Sequence, residues 1–256
     1  EADRVAMIPT NIITIYGRKP IAEVIDNQAI NIWRLHLSKT NKQSIILNQI
    51  INAAKKRNIE IAEHSRKQLS FISKNMRQDQ GIACDIELPK MKSFNDYLSK
   101  LKNPNKGFLF ALDGVTNPQN LGMTIRSLTA SSCDGILINA KTLKNLSPLA
   151  IKASAGSIFK SKILVCENVS DALVDARKKD LDVIALCSNS KNSIKNFVLT
   201  KTSLFVLGNE TTGISEEVRN IANATLNIPL MNGVESLNVA VSAAVTAFMI
   251  QDGGSN

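Results

Sequence analysis

Ile228-Pro229-Leu230-Met231-Asn232-Gly233-Val234-Glu235-Ser236-Leu237-Asn238-Val239-Ala240 is the stretch on which the reading of this chain turns. The run Ala224 to Ile228 has strand character and stops at Pro229, which has no N–H to give to a ladder; a helical run begins near Leu237. Gly233 permits unusual dihedrals, so the join is an irregular loop whose backbone polar groups must find partners elsewhere, and a bound ligand is one candidate. Ser236 stands where a helix N-cap would, with Asn238 just inside the first turn. On spacing alone, plain capping accounts for Ser236.

Two other stretches share this organisation: Gly208-Asn209-Glu210-Thr211-Thr212-Gly213, and Asp113 to Arg126 with the core Asn117-Pro118-Gln119-Asn120-Leu121-Gly122. Each follows an apolar run, Ser203 to Leu207 and Phe108 to Leu112. In an open parallel sheet ligands gather outside the carboxyl ends of the strands, so three polar loops at three strand ends should converge on one site.

Strand-like runs at 108 to 112, 135 to 139, 162 to 166, 182 to 187, 203 to 207 and 224 to 228 alternate with helical patterns at Leu121 to Ser131, Pro148 to Ile158, Ser170 to Lys178, Ser215 to Ile221 and Leu237 to Ile250. Such alternation predicts an α/β fold with a mostly parallel sheet covered on both faces. The turn after the first of these strands lacks the G-x-G-x-x-G fingerprint, which argues against a dinucleotide cofactor. The last helix is apolar nearly all round (Val239, Val241, Ala244, Val245, Phe248, Met249), as burial in the core and against a partner subunit requires; core packing alone explains it almost as well.

Upstream, residues 12 to 88 read as a smaller α/β unit. Strands are expected at Ile12 to Tyr16, Ile32 to Leu37, Ile59 to Ala62 and Ile82 to Ile86, with helices at Ile21 to Ile25, Ile45 to Ala54 and Lys67 to Met76. The stretch 89–106, rich in Lys and Asn and carrying one short apolar cluster (Phe94, Tyr97, Leu98, Leu101), is the expected linker between domains 1–88 and 107–256.

The net charge of +9 lies almost wholly in the first half. Residues 1 to 106 hold 18 Lys and Arg against 10 Asp and Glu, whereas residues 107 to 256 hold 13 against 12. That half is therefore the expected RNA partner surface, through clusters at Arg18-Lys19, Lys55-Lys56-Arg57, Arg66-Lys67 and Lys74-Arg77, although a cluster of this kind taken singly is more often a solvated face than a binding patch. Aromatic content of 4% argues against a stacking platform for single strands. Cys84, Cys133, Cys166 and Cys187 are widely spaced and there are 2 histidines, so the four thiols are expected to be reduced core residues and no metal site is expected. Glu1 to Arg4 lack a signal-peptide layout and no apolar run is long enough to span a membrane, so a cytoplasmic location is expected.

Together, Asn-Pro-Gln-Asn-Leu-Gly-x-x-x-Arg (117 to 126), Gly-Asn-Glu-x-x-Gly (208 to 213) and Ile-Pro-x-x-Gly-x-x-Glu-Ser-Leu-Asn-Val (228 to 239) resemble the three motifs of the SpoU (TrmH-type) RNA ribose 2′-O-methyltransferases of the SPOUT superfamily. Ile151 to Gly156 is similar to that family's segment between the first and second motifs, and Tyr16-Gly17-Arg18 with Asp79-Gln80-Gly81 resembles the limits of its L30e-like RNA-binding domain. Asn117 replaces the usual Asp and Asp79 the usual His.

The resemblance implies a catalytic sheet with a deep trefoil knot that holds S-adenosylmethionine, a homodimer packed through the knot, and 2′-O-methylation of RNA, a guanosine of large-subunit rRNA before a tRNA. By the same carry-over Arg126 lies beside the target hydroxyl, Asn120 and Glu210 orient Arg126 and the loops, Ser236 and Asn238 line the site, and backbone at Gly208, Ile228 and Leu237 holds the adenosine. Taken in isolation these residues are a turn Asn, a loop Glu, a helix cap and core aliphatics. A non-catalytic RNA-binding or assembly protein of the same fold is the alternative class.

Overall fold

Phe108–Leu112 (β6), buried at every position, is the fourth strand of a seven-stranded sheet with the order β11-β9-β10-β6-β7-β8-β5. Its strands are β5 Lys92–Ser93, β7 Gly135–Asn139, β8 Ile163–Cys166, β9 Asp182–Leu186, β10 Ser203–Leu207 and β11 Ala224–Leu226. Every pairing among them is parallel. The computed structural model describes residues 12–87, 91–101, 106–144 and 146–253. It divides into two compact units, Glu1–Lys90 and Met91–Asn256.

The near-continuous apolar strands follow from burial on both faces. Leu109, Ala111, Leu137, Leu164, Val183, Ala185, Leu204 and Val206 form one core with Phe94 and Leu98 of α4 (Phe94–Lys100), Ala172, Leu173 and Ala176 of α8 (Val169–Lys178) and Val218 of α9 (Glu216–Ile221). Residues of the other parity are buried too, with the Phe110 and Phe205 rings 5.6 Å apart. Each such fully buried side chain contributes about 1.5–3 kcal/mol relative to exposure. The remaining helices are α5 (Pro118–Thr129), α6 (Ala140–Lys144), α7 (Pro148–Ala153) and α10 (Val239–Gly253), and α5 packs against both α7 and α10. Gly122 is what lets α5 approach α7: a Cβ there would stand 2.2 Å from the Ala150 carbonyl oxygen.

Several boundaries move from those expected. The helix expected from Leu121 starts at Pro118, because Asn117 caps it and Pro suits its first position. The helix expected to reach Ile158 ends at Ala153, followed by left-handed Ala155 and Gly156 and a short 3-10 turn. Strand β11 ends at Leu226 instead of Ile228. Of the expected linker 89–106, residues 89, 90 and 102–105 lie outside the described residues, as do the first eleven residues of the chain. Its apolar cluster forms the one short helix, α4, but Phe94 and Leu98 pack into the core and Lys92–Ser93 pair with β8, so from Met91 onward the expected linker belongs to the second unit.

The first unit is a four-stranded sheet in the order β1-β4-β2-β3, built from Ile12–Tyr16, Ile82–Glu87, Ile32–Ser38 and Glu60–His64. The β2–β3 pairing is parallel and the others antiparallel. Helices α1 (Arg18–Asp26), α2 (Ile45–Lys56) and α3 (Arg66–Ser73) accompany it. Helix α3 starts at a capping box made by Ser65 and Gln68 and ends three residues before the expected Met76, where Lys74 turns left-handed.

All four cysteines are unpaired. Cys84 and Cys187 are buried, but Cys133 and Cys166, expected in the core, are only half-buried. Among the described residues no helix is long and apolar enough to cross a membrane, and no three His, Cys, Asp or Glu side chains are grouped to hold a metal ion.

Candidate active site

The loop that leaves β6 is pinned to the loop that leaves β10. Asp113 donates its N–H to the Leu207 carbonyl at 2.8 Å, and its carboxylate accepts from the Ser215 N–H at 3.2 Å. Asn117 Oδ1 then accepts from the N–H groups of Gln119 (3.0 Å) and Asn120 (3.1 Å), which satisfies two otherwise orphaned donors and fixes Asn120 in the first turn of α5. Asn for Asp at 117 therefore keeps the cap.

The second loop is closed on itself by two backbone bonds, Asn209 N–H to Gly213 O (3.0 Å) and Gly213 N–H to Asn209 O (2.9 Å). Asn209 Oδ1 accepts from Thr211 (2.8 Å) and Thr212 (3.2 Å), while its Nδ2 reaches the Gly114 carbonyl at 2.8 Å. One side chain thus shapes its own loop and ties it to the first. Sequence reasoning overlooked Asn209; the sign available was an Asn one residue after a Gly at a strand end, the setting for a side chain that bonds the backbone two residues on. Gly208 is equally constrained, since a Cβ there would lie 2.2 Å from the Gly213 carbonyl carbon.

The third loop runs from Asn227 to Asn238, with left-handed Asn232 and Gly233 at its tip. Helix α10 begins at Val239, two residues later than expected, and its first-turn acceptor is Asn238: Oδ1 takes the Ala240 N–H at 2.9 Å. Ser236, expected in the capping position, is instead exposed on the loop. Asn can cap as well as Ser, and here Asn238 uses its acceptor for the cap and keeps its donor for the site.

That donor joins the loops. Asn238 Nδ2 donates to Asn120 Oδ1 at 2.9 Å, and Asn120 Nδ2 donates to Glu210 Oε1 at 2.7 Å. Three side chains from three strand ends make one chain of hydrogen bonds. Beside it, at the carboxyl ends of β9, β10 and β11, lies a cavity of about 400 Å³ whose wall includes Gly208, Glu210, Ile228, Ser236 and Leu237. Asn227 also lines it and carries a buried Oδ1 without a partner among the described residues. Burial pushes the Cys187 thiol on the same wall above its ordinary value.

Arg126 stands apart. It is exposed on α5, six residues beyond Asn120 and so about 9 Å further along the axis. It bonds to neither Asn120 nor Glu210, and it is not on the cavity wall. The two residues expected to orient Arg126 bond to each other and to Asn238 instead.

In the first unit the two sequence landmarks meet: the Arg18 N–H donates to Gln80 Oε1 at 2.8 Å. Buried Asp79 accepts from Ser73 (2.8 Å) and from the Gly81 N–H (2.9 Å) and is ion-paired with Arg66. Arg57 donates to the carbonyls of Ile25 (2.8 Å) and Ile30 (2.6 Å). The Arg18 guanidinium donates to Ser44 Oγ at 2.8 Å, so these three arginines of the expected basic clusters serve the fold, leaving Lys19, Lys55, Lys56, Lys67, Lys74 and Arg77 exposed.

The SpoU rRNA Methylase family matches residues 107–248, and the family of RNA 2′-O ribose methyltransferase substrate-binding domains matches residues 14–91. The chain is 27% identical over 236 residues to the 23S rRNA (guanosine-2′-O-)-methyltransferase RlmB of Xylella fastidiosa, covering 91% of this chain and 94% of that protein. It is 26% identical over 232 residues to an uncharacterized tRNA/rRNA methyltransferase of Mycobacterium ulcerans, covering 91% and 74% respectively. Among solved structures, the SpoU methyltransferase AviRb from Streptomyces viridochromogenes in complex with AdoMet superposes with a TM-score of 0.75 at 19% identity, over 93% of this chain and 89% of that one.

Proposed function

Because this chain belongs to the SpoU rRNA methylase family, we propose that it transfers a methyl group from S-adenosylmethionine to a ribose 2′-hydroxyl of RNA, with a guanosine of 23S rRNA as the target. The observation that carries this reading is the hydrogen-bonded chain Asn238–Asn120–Glu210, which unites all three sequence motifs beside one cavity. The choice of rRNA is supported by a relative of that name matched over nearly its whole length, and by the match of residues 14–91 to a substrate-binding family.

The cavity suits the methyl donor. Its volume of about 400 Å³ is within the range for small-ligand sites, its wall offers Leu186, Leu207 and Ile214 to an adenine ring, and the buried, unpaired Asn227 Oδ1 is an acceptor ready for a ligand donor. Backbone at Gly208, Ile228 and Leu237 would hold the adenosine. Bound S-adenosylmethionine supplies an electrophilic methyl on a sulfonium. The work left to the protein is to place a poorly nucleophilic hydroxyl in line with that methyl and let its proton leave. Ser236, on the cavity wall, and Asn238, two residues on, would line the site where the hydroxyl meets the methyl. Arg126, whose guanidinium offers only hydrogen-bond donors, clamps the target phosphate and ribose, so phosphate or water receives the proton.

The finer architecture belongs to the same reading. The segment after β11 threads a loop as a trefoil knot; support comes from its pairing with the loop after β9, where Asn227 N–H donates to Asn192 O at 2.8 Å and Ile194 N–H to Asn227 O at 2.9 Å, before the chain crosses to Asn120. The domain of residues 1–88 is L30e-like and binds the RNA, and the methyltransferase expected at 107–256 takes in β5 and α4 as well. Two such chains pair through α10, which leaves Val241 and Phe248 44% and 41% exposed one heptad apart. An rRNA substrate places the work in the cytoplasm.

Incubation of the full chain with labelled donor and with purified rRNA or tRNA, followed by mapping of the ribose-methylated nucleotide, tests the proposal. Label in a 23S guanosine is the expected result; label confined to tRNA changes the substrate. RNA affinity without donor binding in calorimetry would point to a non-catalytic protein instead.

A further inference from the structure

A second cavity, of about 330 Å³, lies at the carboxyl ends of β6 and β7, lined by Gly114, Thr116, Pro118 and Leu121 on one side of the sequence and by Asn139, Lys141, Thr142, Ser147 and Ala150 on the other. Neither the donor site nor the Asn238–Asn120–Glu210 chain uses it. We infer that this cavity receives the base of the acceptor nucleotide, unstacked from the RNA, and that its rim selects guanine. The inference rests on the methyltransferase reading and adds to it a specificity site.

Position is the first argument. The two cavities are separated by a wall one hydrogen bond thick: Gly114 lines the second, and its carbonyl accepts from Asn209, which lines the first. Asn120, adjoining Leu121 of the second lining, bonds to Glu210 of the first. A nucleotide whose base sits in one cavity therefore has its ribose at the edge of the other. Size is the second argument. The volume is at the small end of ligand pockets, roughly 300–1,000 Å³, which suits one base and not a helix of RNA. Sequence-specific RNA recognition works in this way, by splaying a base out and reading its edges.

Chemistry is the third. Pro118, Leu121 and Ala150 give an apolar surface for the ring face. Asn139 spends Oδ1 on the Thr142 N–H at 2.7 Å, so its Nδ2 stays a donor without a partner among the described residues. Lys141 is exposed at the rim, and the hydroxyls of Thr116 and Thr142 are there too. This donor-rich rim matches the edge of guanine, whose O6 and N7 are both acceptors.

The test uses the full chain saturated with S-adenosylhomocysteine, which keeps nucleotides out of the first cavity. Titration with the four nucleoside 5′-monophosphates, followed by amide NMR, should show guanosine monophosphate moving Thr116, Asn139 and Thr142 more than the others do. Thr142→Tyr after β7 and, from the loop after β6, Thr116→Trp should fill the cavity, abolish those shifts and lower kcat/KM for RNA more than about tenfold, with donor affinity unchanged. Lys141→Gln should raise KM and narrow the preference for guanosine. Absence of those shifts, or normal kcat/KM in both filled variants of a chain whose wild type methylates RNA, overturns the assignment. A wild type that binds guanosine monophosphate here yet methylates no RNA overturns the functional reading instead, and with it the link to an acceptor nucleotide.

Discussion

Asn120 donates to Glu210 at 2.7 Å across 90 residues of chain, and because a carboxylate only accepts, Glu210 dictates which end of the Asn120 carboxamide faces Asn238. Glu210 thus orients Asn238 through a residue it does not share a loop with. Asn120→Asp would set two carboxylates against each other and deprive Asn238 of a properly placed acceptor. We expect turnover to fall about 10²-fold or more, with donor affinity changed much less, because the backbone contacts proposed for the donor are elsewhere. Single-turnover methylation and calorimetry on the same variant check this. Adding Glu210→Gln to Asn120→Asp, so that a carboxamide N–H faces the new carboxylate, should recover part of the loss.

Gly208→Ala tests the cavity wall from the backbone side. The added methyl would stand 2.2 Å from the Gly213 carbonyl carbon and 2.4 Å from the Ile214 nitrogen, neither of which is a flexible side-chain end. The loop must move, and with it the backbone proposed to hold the adenosine. Donor affinity should drop by about tenfold or more, measured by calorimetry, and unchanged affinity would remove Gly208 from the binding surface.

The parallel sheet was legible because strands buried on both faces leave near-continuous apolar runs, and the three loops were legible because Pro, Gly and Asn punctuate the strand ends. What escaped was set by contacts distant in sequence. Nothing local distinguishes Asn238 as the cap from Ser236; the choice follows from Asn120, 118 residues away, which takes the other end of the Asn238 side chain. Asp79 gave no sign of being a buried partner for Arg66, nor Arg57 of holding the Ile25 and Ile30 carbonyls, because composition counts charges without showing where they point. The two-residue strand β5 and the helix α6 are too short for periodicity to reveal.

Arg126 is exposed and unattached, so its removal should cost the fold little. Arg126→Ala should lower turnover about 10²-fold while leaving the melting temperature and donor binding near those of the wild type. Arg126→Lys should rescue poorly, because an ammonium cannot reproduce the bidentate fork on a phosphate. Near-normal turnover in Arg126→Ala would exclude the residue from the reaction.

Acid should loosen the first unit through a row of side chains across its sheet. His36 bonds to His64 at 2.9 Å and to Asp85 at 3.0 Å, and Thr14 donates to Asp85 at 2.6 Å. Burial, then the neighbouring charges of His36, Arg34 and Lys39, hold the His64 pKa below its ordinary 6.5. Burial alone would raise Asp85, but the hydrogen bonds from His36 and Thr14 together with the neighbouring charges of His36 and Arg34 outweigh it and hold that carboxyl below its ordinary 3.8. The unfolded chain therefore binds protons more readily at both groups. Stability from His64 is complete above 6.5 and falls as the pH drops toward the lowered value; that from Asp85 is lost only below 3.8. Denaturant midpoints between pH 8 and 5 should decline for the wild type and decline less for His64→Gln.

The proposed dimer makes a prediction that a buried helix alone does not. Val241 and Phe248 are 44% and 41% exposed on α10, while Ala243, Ala247 and Ile250 of the same helix are buried, so the core already has its own face. A charge at Phe248 should then be tolerated by a folded monomer but not by an interface, where it would be left buried and unpaired. Phe248→Glu is expected to keep the wild-type circular dichroism while shifting sedimentation from dimer to monomer at micromolar concentration. Turnover should fall with it, because α10 begins one residue after Asn238, and a helix released from its partner no longer steadies the cap that carries the site's first hydrogen bond. The concentration dependence separates the two effects: if the loss comes from dissociation, high protein concentration restores activity, whereas a defect internal to the subunit does not respond. A wild-type chain that sediments as a fully active monomer, or a Phe248→Glu dimer with normal turnover, refutes pairing through this helix.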